Sequence, residues 1–334
     1  MVPPIATVVI PNFNGMQFLP RLMASLEAQR DPRWTAIVVD DGSTDESVAY
    51  LRASWPRIRL LCNPHNLGFA GTCNVGMREA ATPFVALLNN DTHLDADWLA
   101  QGLRPFDSPD VGAVASLVLL AEPPHRIDTA GDLYSVAGGA VKRGHMAPRA
   151  VANSLGEAVF SASGAAAFFR REAVESAGLL DERFDSYYED VDLGFRLAWL
   201  GYRTVFAAKS VCYHHLSSSY SPRGWRYHFN SARNAELVWW SCLPRRLRRR
   251  YLPAHLLFLV LQAINKLRQG CLKPYLAGKW AAIRSRDVIR ERRRAIQASA
   301  RADETSIDAR IEHDWWRLHV SSQCKGGAAT EVGG

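Results

Sequence analysis

The chain has 334 residues, 48% of them apolar, and a formal net charge of +7, which suits one large folded domain or a domain with an addition and excludes a disordered or collagen-like chain. Its cysteines (Cys62, Cys73, Cys212, Cys242, Cys271 and Cys324) are scattered without a CxxC pair, a pattern that fits a reducing cytosol better than a disulfide framework or a zinc site. The charge is uneven: residues 223–301 hold 19 Lys/Arg against 3 Asp/Glu, the remainder 21 against 30, so an acidic body carries a basic C-terminal region suited to an anionic partner.

In chain order, residues 5–10 form an apolar, β-branched run with no basic leader before it, and read as a first strand rather than a signal peptide. The run ends in the turn Pro11-Asn12-Phe13-Asn14-Gly15. Residues 18–29 carry Leu19, Leu22, Met23 and Leu26 at helical spacing. A second strand, 36–39, runs into Asp40-Asp41-Gly42-Ser43, and a third, 58–62, precedes Asn63 to Gly68. A helix over 70–80, a strand over 84–88 and the turn Asn89-Asn90-Asp91 follow. This alternation predicts an α/β fold with a mixed, mainly parallel sheet flanked by helices, whose ligands bind beyond the carboxyl ends of the strands.

Residues 110–170 are glycine-rich with a weak pattern, and read as further, partly antiparallel strands. Helices are expected over 172–178 and 191–200, the latter packing Leu193, Leu197 and Leu200. A strand over 203–207 and the segment Val211 to His215 close the body. After Ser221-Pro222 the character becomes helical and basic. The run Arg245 to Arg250 precedes the apolar stretch 251–261, too short to span a bilayer, which needs ~20 residues. The expected organisation is a catalytic body over 1–222, a basic helical region over 223–302, and a short helix with a disordered tail over 303–334.

Glu189, Asp190 and Asp192 lie within four positions, behind Tyr187-Tyr188 and ahead of a helix. Burial and mutual repulsion would separate their pKa values and hold one as a base near neutral pH. The acids at strand ends have plainer readings too: Asp41 and Asp91 suit polar turns or helix caps, and a histidine in His214-His215 suits packing.

The order of five motifs is more specific. Residues 8–15, 38–45, 66–76, 88–92 and 188–193, with Tyr213-His214-His215 after them, resemble the family 2 inverting glycosyltransferases of the GT-A fold, and within them the bacterial rhamnosyltransferase-like branch. The resemblance covers roughly residues 5–235. It implies Asp41 on the nucleotide base with Pro11 and Phe13 lining that pocket, and Asn66, Gly68, Asn74 and Asn90 near the ribose, diphosphate or sugar. It implies Asp91 as the surviving acid of an Asp-x-Asp metal element, Asn89 standing at the first position, with Mg²⁺ or Mn²⁺ as cofactor. His214 would close on the metal or diphosphate, with His215 as the alternative. Asp190 would be the catalytic base, with Glu189 and Asp192 beside it, and Gly164 and Trp225 would lie on the acceptor side, where Arg223, Tyr227 and His228 also fall.

The function so implied is transfer of L-rhamnose from dTDP-rhamnose, or of a hexose from a UDP-sugar, to a hydroxyl of a cell-surface glycan or lipid-linked acceptor. The alternatives are a nucleotidyltransferase, which would want a basic glycine-rich phosphate loop that Pro11 to Gly15 does not supply, and an inactive glycan-binding or membrane scaffold. The basic helices read as a peripheral contact with anionic lipid on the cytoplasmic leaflet, or as an oligomer contact or solvated face. No nucleic-acid motif accompanies them.

Overall fold

The computed structural model describes residues 2–216 and 224–319. The expected change of character at 221–222, Arg223 and the expected tail from 320 onward lie outside the described residues. The first half runs β1 (Ala6–Asn12), α1 (Leu19–Glu27), β2 (Trp34–Asp40), α2 (Ser47–Ser54), β3 (Arg59–Cys62), α3 (Gly68–Arg78), β4 (Phe84–Leu88), β5 (Thr92–Leu94), α4 (Trp98–Leu103) and β6 (Val111–Leu120). The middle holds β7 (Ile127–Thr129), β8 (Asp132–Tyr134), β9 (Ala140–Lys142), β10 (Ala158–Val159), β11 (Ala166–Arg170), α5 (Arg171–Ser176), α6 (Glu189–Trp199) and β12 (Arg203–His214). The helices α7 (Trp225–Cys242), α8 (Arg245–Arg268), α9 (Leu272–Arg284), α10 (Arg286–Ser299) and α11 (Glu304–Asp308) follow.

The main sheet has the order β10-β12-β6-β11-β4-β1-β2-β3, with β5 on β12 and β7 on β6. Strands β3, β2, β1 and β4 are mutually parallel, β11 is antiparallel to both β4 and β6, and β12 is parallel to β6. The sequence alone therefore places the parallel half correctly, and the middle does supply the antiparallel members. The two expected pieces after residue 203 are one strand, interrupted where its register against β6 shifts between Ala207 and Val211. Val8, Val9 and Ile10 on β1 and Ala86, Leu87 and Leu88 on β4 are all buried, because helices cover both faces of a parallel sheet and leave no solvent side for alternation.

Asn12, at the carboxyl end of β1, ties the neighbouring strand ends together. Its amide nitrogen donates to Asp40 on β2 at 3.0 Å, and its oxygen accepts from Asn90 beyond β4 at 2.9 Å. Satisfied in this way, a buried polar side chain fixes three strand ends instead of weakening the sheet.

The C-terminal helices share a core with the sheet body. Tyr134, Phe160 and Phe195 pack with Trp239, Leu247, Ile289, Ile296 and Ile311 in one buried cluster. The chain after α11 returns to β8, where Glu312 exchanges backbone bonds with Tyr134 and Val136 at 2.8 and 3.0 Å. A buried ionic network joins α10 to the body: Arg292 pairs with both Asp181 and Asp192, and Arg196 holds the second oxygen of Asp192 at 2.8 Å. Removing one partner of a buried pair leaves the other charged and unpaired. Arg292→Leu should therefore lower unfolding free energy by about 3 kcal/mol, measured by urea denaturation. A loss inside experimental error would show that the network does not hold α10 in place.

Candidate active site

A cavity of about 740 Å³ opens where the parallel strands end. From the sequence-predicted residues it collects Pro11, Phe13, Asp41, Asn66, Gly68, Asn90, Asp91, Gly164, Glu189, Asp190 and His214. Three others are elsewhere. Asn74 lies on the far part of α3, where its amide exchanges bonds with the backbone of Leu180 and donates to Glu182. Asp192 is fully buried behind the site in its pairs with Arg196 and Arg292, because one residue separates it from a helix neighbour facing the opposite way. Trp225 is exposed at the start of α7 and does not line the cavity, whereas Tyr227 and Ser231 on the same helix do.

At the nucleotide end, the Asp41 carboxylate accepts from the backbone N–H of Leu67 and Gly68 and from the Asn63 amide, at 2.8, 3.1 and 2.8 Å. These bonds fold the 63–68 loop over the end of β2. Gly68 adopts φ +75°, and a side-chain carbon there would fall 2.8 Å from Asp185, so this position requires glycine.

The opposite wall is the turn before α6. Asp185, Tyr187 and Tyr188 all have positive φ, 63°, 71° and 71°, a conformation costing about 1–3 kcal/mol at each non-glycine residue. The turn persists because α7 holds it. The Asn234 amide donates to the carbonyls of Phe184, Ser186 and Tyr187 at 2.9, 3.0 and 2.7 Å. Asn230 donates to Asp185 at 2.8 Å, Arg226 to the same carboxylate at 2.7 Å, and Arg233 to the carbonyl of Arg183 at 2.9 Å.

The turn delivers Glu189 and Asp190 into the first turn of α6, where the helix's unsatisfied N–H groups favour negative charge. Asp190 accepts from the N–H of Val191 at 2.8 Å and from Gly164 at 3.4 Å. Burial raises the pKa of Asp190, and these backbone bonds oppose the rise. Burial raises Glu189 further, with the Asp190 charge adding to it, and the same two causes raise Asp132. Glu189 Oε2 has no hydrogen-bond partner among the described residues. Of these three buried carboxyls, Asp190 is the one whose charged form is best supported.

Between these walls lies a relay of alternating charge that the sequence did not reveal. Lys142 donates to Asp128 at 2.7 Å, Asp128 meets His214 Nδ1 at 3.0 Å, and His214 Nε2 meets Asp91 at 3.2 Å. Burial alone would lower the His214 pKa, but the two carboxylates raise it to about 9. Burial would likewise raise Asp128, yet His214 and Lys142 hold it well below the usual carboxylate range. His215 turns away, packing against Phe18 and His93.

The donor set can be tested against a divalent cation. Adjacent vertices of an octahedron with bonds near 2.1 Å lie about 3 Å apart, close to the 3.2 Å between Asp91 and His214. The second ring nitrogen of His214 is held by a carboxylate, as in most metal-ligating histidines. Among the described residues, no third His, Cys, Asp or Glu completes a metal cluster. The pair therefore fits a hard cation whose remaining positions are filled by substrate phosphate and water.

Residues 7–178 match the family model for glycosyl transferase family 2. The chain belongs to this family. It is 30% identical over 226 residues to the O-antigen biosynthesis protein RfbC of Myxococcus xanthus, covering 65% of this chain and 18% of that protein. It is 32% identical over 211 residues to a pre-mycofactocin glycosyltransferase of Mycobacterium tuberculosis, covering 62% and 42%, so the matches span less than half the length of both relatives. A third relative, the N-acetylglucosaminyl-diphospho-decaprenol L-rhamnosyltransferase of Mycobacterium tuberculosis, is 25% identical over 242 residues, covering 64% and 77%. The mannosyltransferase PcManGT of Pyrobaculum calidifontis, solved with GDP-Man and Mn²⁺, shares the fold at a TM-score of 0.54 and 18% identity, covering 85% of this chain and 76% of that one. The glycosyltransferase GT-A fold is thus established, and the nucleotidyltransferase alternative has no support in this assignment.

Asn234 is the missed residue with the largest consequence for the site. Asn234→Ala should cost about 2 kcal/mol of stability through the Ser186 and Tyr187 carbonyls that lose its amide, the Phe184 carbonyl still accepting from the Ser186 N–H and Arg233. Its first visible effect should be faster amide hydrogen exchange over 184–190. Unchanged exchange there would show that the strained turn is held by other contacts.

Proposed function

We propose that this chain is an inverting, metal-dependent glycosyltransferase in which Asp190 is the general base. The donor is a nucleotide-diphosphate sugar, dTDP-rhamnose or a UDP-sugar, and the acceptor is a hydroxyl of a cell-surface glycan or lipid-linked glycan. The observation that carries this reading is the shared cavity: one buried carboxylate with backbone support faces the same space as the Asp91–His214 pair. The rhamnosyl donor draws further support from the mycobacterial rhamnosyltransferase, at 25% identity.

In this reading Pro11, Phe13 and the Asp41-bound loop seat the nucleotide, and Asn66, Gly68 and Asn90 border its sugar and phosphates. Asp91 and His214 would hold a Mg²⁺ or Mn²⁺ ion, which would neutralise charge developing on the departing diphosphate. Asp128 keeps the His214 ring oriented, and Lys142 adds a positive charge to the same wall. Asp190 takes the proton of the acceptor hydroxyl as its oxygen bonds to the anomeric carbon. The bond from that carbon to the diphosphate breaks with its electron pair leaving on phosphate oxygen, and the configuration inverts. Glu189, whose pKa burial raises, stands beside Asp190 in the cavity wall. Gly164 lets the acceptor approach the backbone beside Asp190.

Asp190→Asn should reduce transfer by about 10³-fold, within the range for loss of a general base, while nucleotide binding survives; full activity would exclude Asp190 as the base. Thermal shift with nucleotide-sugars gives an independent test. The true donor should stabilise the protein more with Mn²⁺ than without it, and His214→Ala should remove that increment. A donor shift that ignores Mn²⁺ in the unaltered protein would rule out the metal role.

A further inference from the structure

We propose that α8 and α9 form a face that docks on an anionic membrane surface. On α8, Leu256, Leu257, Val260, Ile264 and Leu267 are exposed, and their spacing puts them on one stripe. On α9, Leu276, Trp280 and Ile283 repeat that arrangement, Trp280 at 61% exposure and Ile283 at 63%. The two helices form a hairpin through Gly270, where φ is +71°, and the Tyr275 hydroxyl donates to the Leu259 carbonyl across it. Each stripe lies opposite the side packed on the body, where α8 buries Leu247, His255 and Phe258 and α9 buries Tyr275, Gly278 and Ala282. A globular surface helix normally turns its apolar stripe inward. Here both helices turn one outward, and among the described residues these side chains stay exposed.

Charge selects the occupant. Residues 245–286 contain no Asp or Glu. Arg245, Arg246, Arg249 and Arg250 are exposed at the start of α8, and Lys273 and Arg284 flank the stripe on α9. A second copy meeting this face with its own would bring like charges together, whereas anionic headgroups complement them. No helix among the described residues is long and apolar enough to cross a membrane, so the hairpin lies along the surface, with Trp280 at headgroup depth.

The face is coupled to the cavity through α7. Gly278 packs against the Phe229 carbonyl and Ala232, and Lys279 pairs with Glu236 at 2.7 Å. The first turns of α7 carry Tyr227 and Ser231 into the cavity wall. Docking would hold that wall near the headgroups, which deepens the proposed reading by placing an acceptor carried on lipid within reach. The docking claim itself rests on α8 and α9 and stands without the transfer chemistry.

Flotation of the full chain with phosphatidylglycerol vesicles, against phosphatidylcholine vesicles, tests it. The protein should float with the anionic vesicles, release as salt rises, and remain in solution with the neutral ones. A Val260→Glu, Trp280→Glu double variant should lose anionic-vesicle binding by more than about tenfold, with an unchanged thermal midpoint and an unchanged Mn²⁺-dependent nucleotide-sugar shift. Replacing Arg245, Arg246, Arg249 and Arg250 with glutamine should weaken binding comparably. Absence of flotation, or full flotation by the double variant, would overturn the proposal. Self-association without vesicles that the double variant abolishes, together with no flotation, would assign the face to a second copy instead. Loss of the nucleotide-sugar shift with flotation retained would count against the transfer reading alone.

Discussion

The amide of Asn234, shared among three carbonyls of the turn before α6, is the interaction on which the site depends. Three non-glycine residues of that turn sit in the left-handed region. A conformation of this cost needs external support, and four side chains of α7 supply it. The result is positional. Glu189 and Asp190 enter the cavity from the first turn of a helix whose start cannot move independently, and the Asp190 carboxylate meets the N–H groups of Val191 and Gly164. The C-terminal helices are therefore part of the structure that positions Asp190, since the clamp comes from α7 and the α6 network is closed by Arg292 of α10.

Electrostatics divides the cavity into two regions with different tasks. Around Asp190, burial and neighbouring carboxyls disfavour negative charge and push the pKa values of Glu189 and Asp132 up. Around Asp91 the order is reversed: Lys142 and His214 alternate with Asp128 and Asp91, and the two cations hold the Asp128 carboxyl well below the usual carboxylate range. The proposed base lies in the first region and the proposed cation site in the second. Phosphate charge arriving beside Asp91 would meet the Lys142 ammonium on the same wall.

Much of this was legible in the sequence, for physical reasons. Parallel strands buried on both faces appear as unbroken apolar runs, and the polar turns that end them mark the cavity rim. Pro11, Asp41, Asn90 and Asp91 were accordingly visible as strand-end residues. Asp128, Asp132 and Lys142 were not, because β7, β8 and β9 have only three residues each, too short for a period. Asn234 reads as an ordinary helical residue until the fold brings it to a turn about 50 positions earlier. Asp192 has the residue type and spacing of its neighbours, but it pairs with Arg196 and with Arg292, which lies a hundred residues away. Trp225 invited an acceptor role by its type, but helical phase gives the cavity to Tyr227 and Ser231.

The central claim is that Asn234, which does not line the cavity, positions the proposed base through the turn before α6. It is tested most directly by measuring the transfer rate of Asn234→Ala at saturating donor, with donor affinity measured in parallel. A displacement of the base by about 1 Å should lower the rate roughly hundredfold, with donor affinity within about twofold of the unaltered protein. An unchanged rate, or a loss confined to donor affinity, would contradict the account.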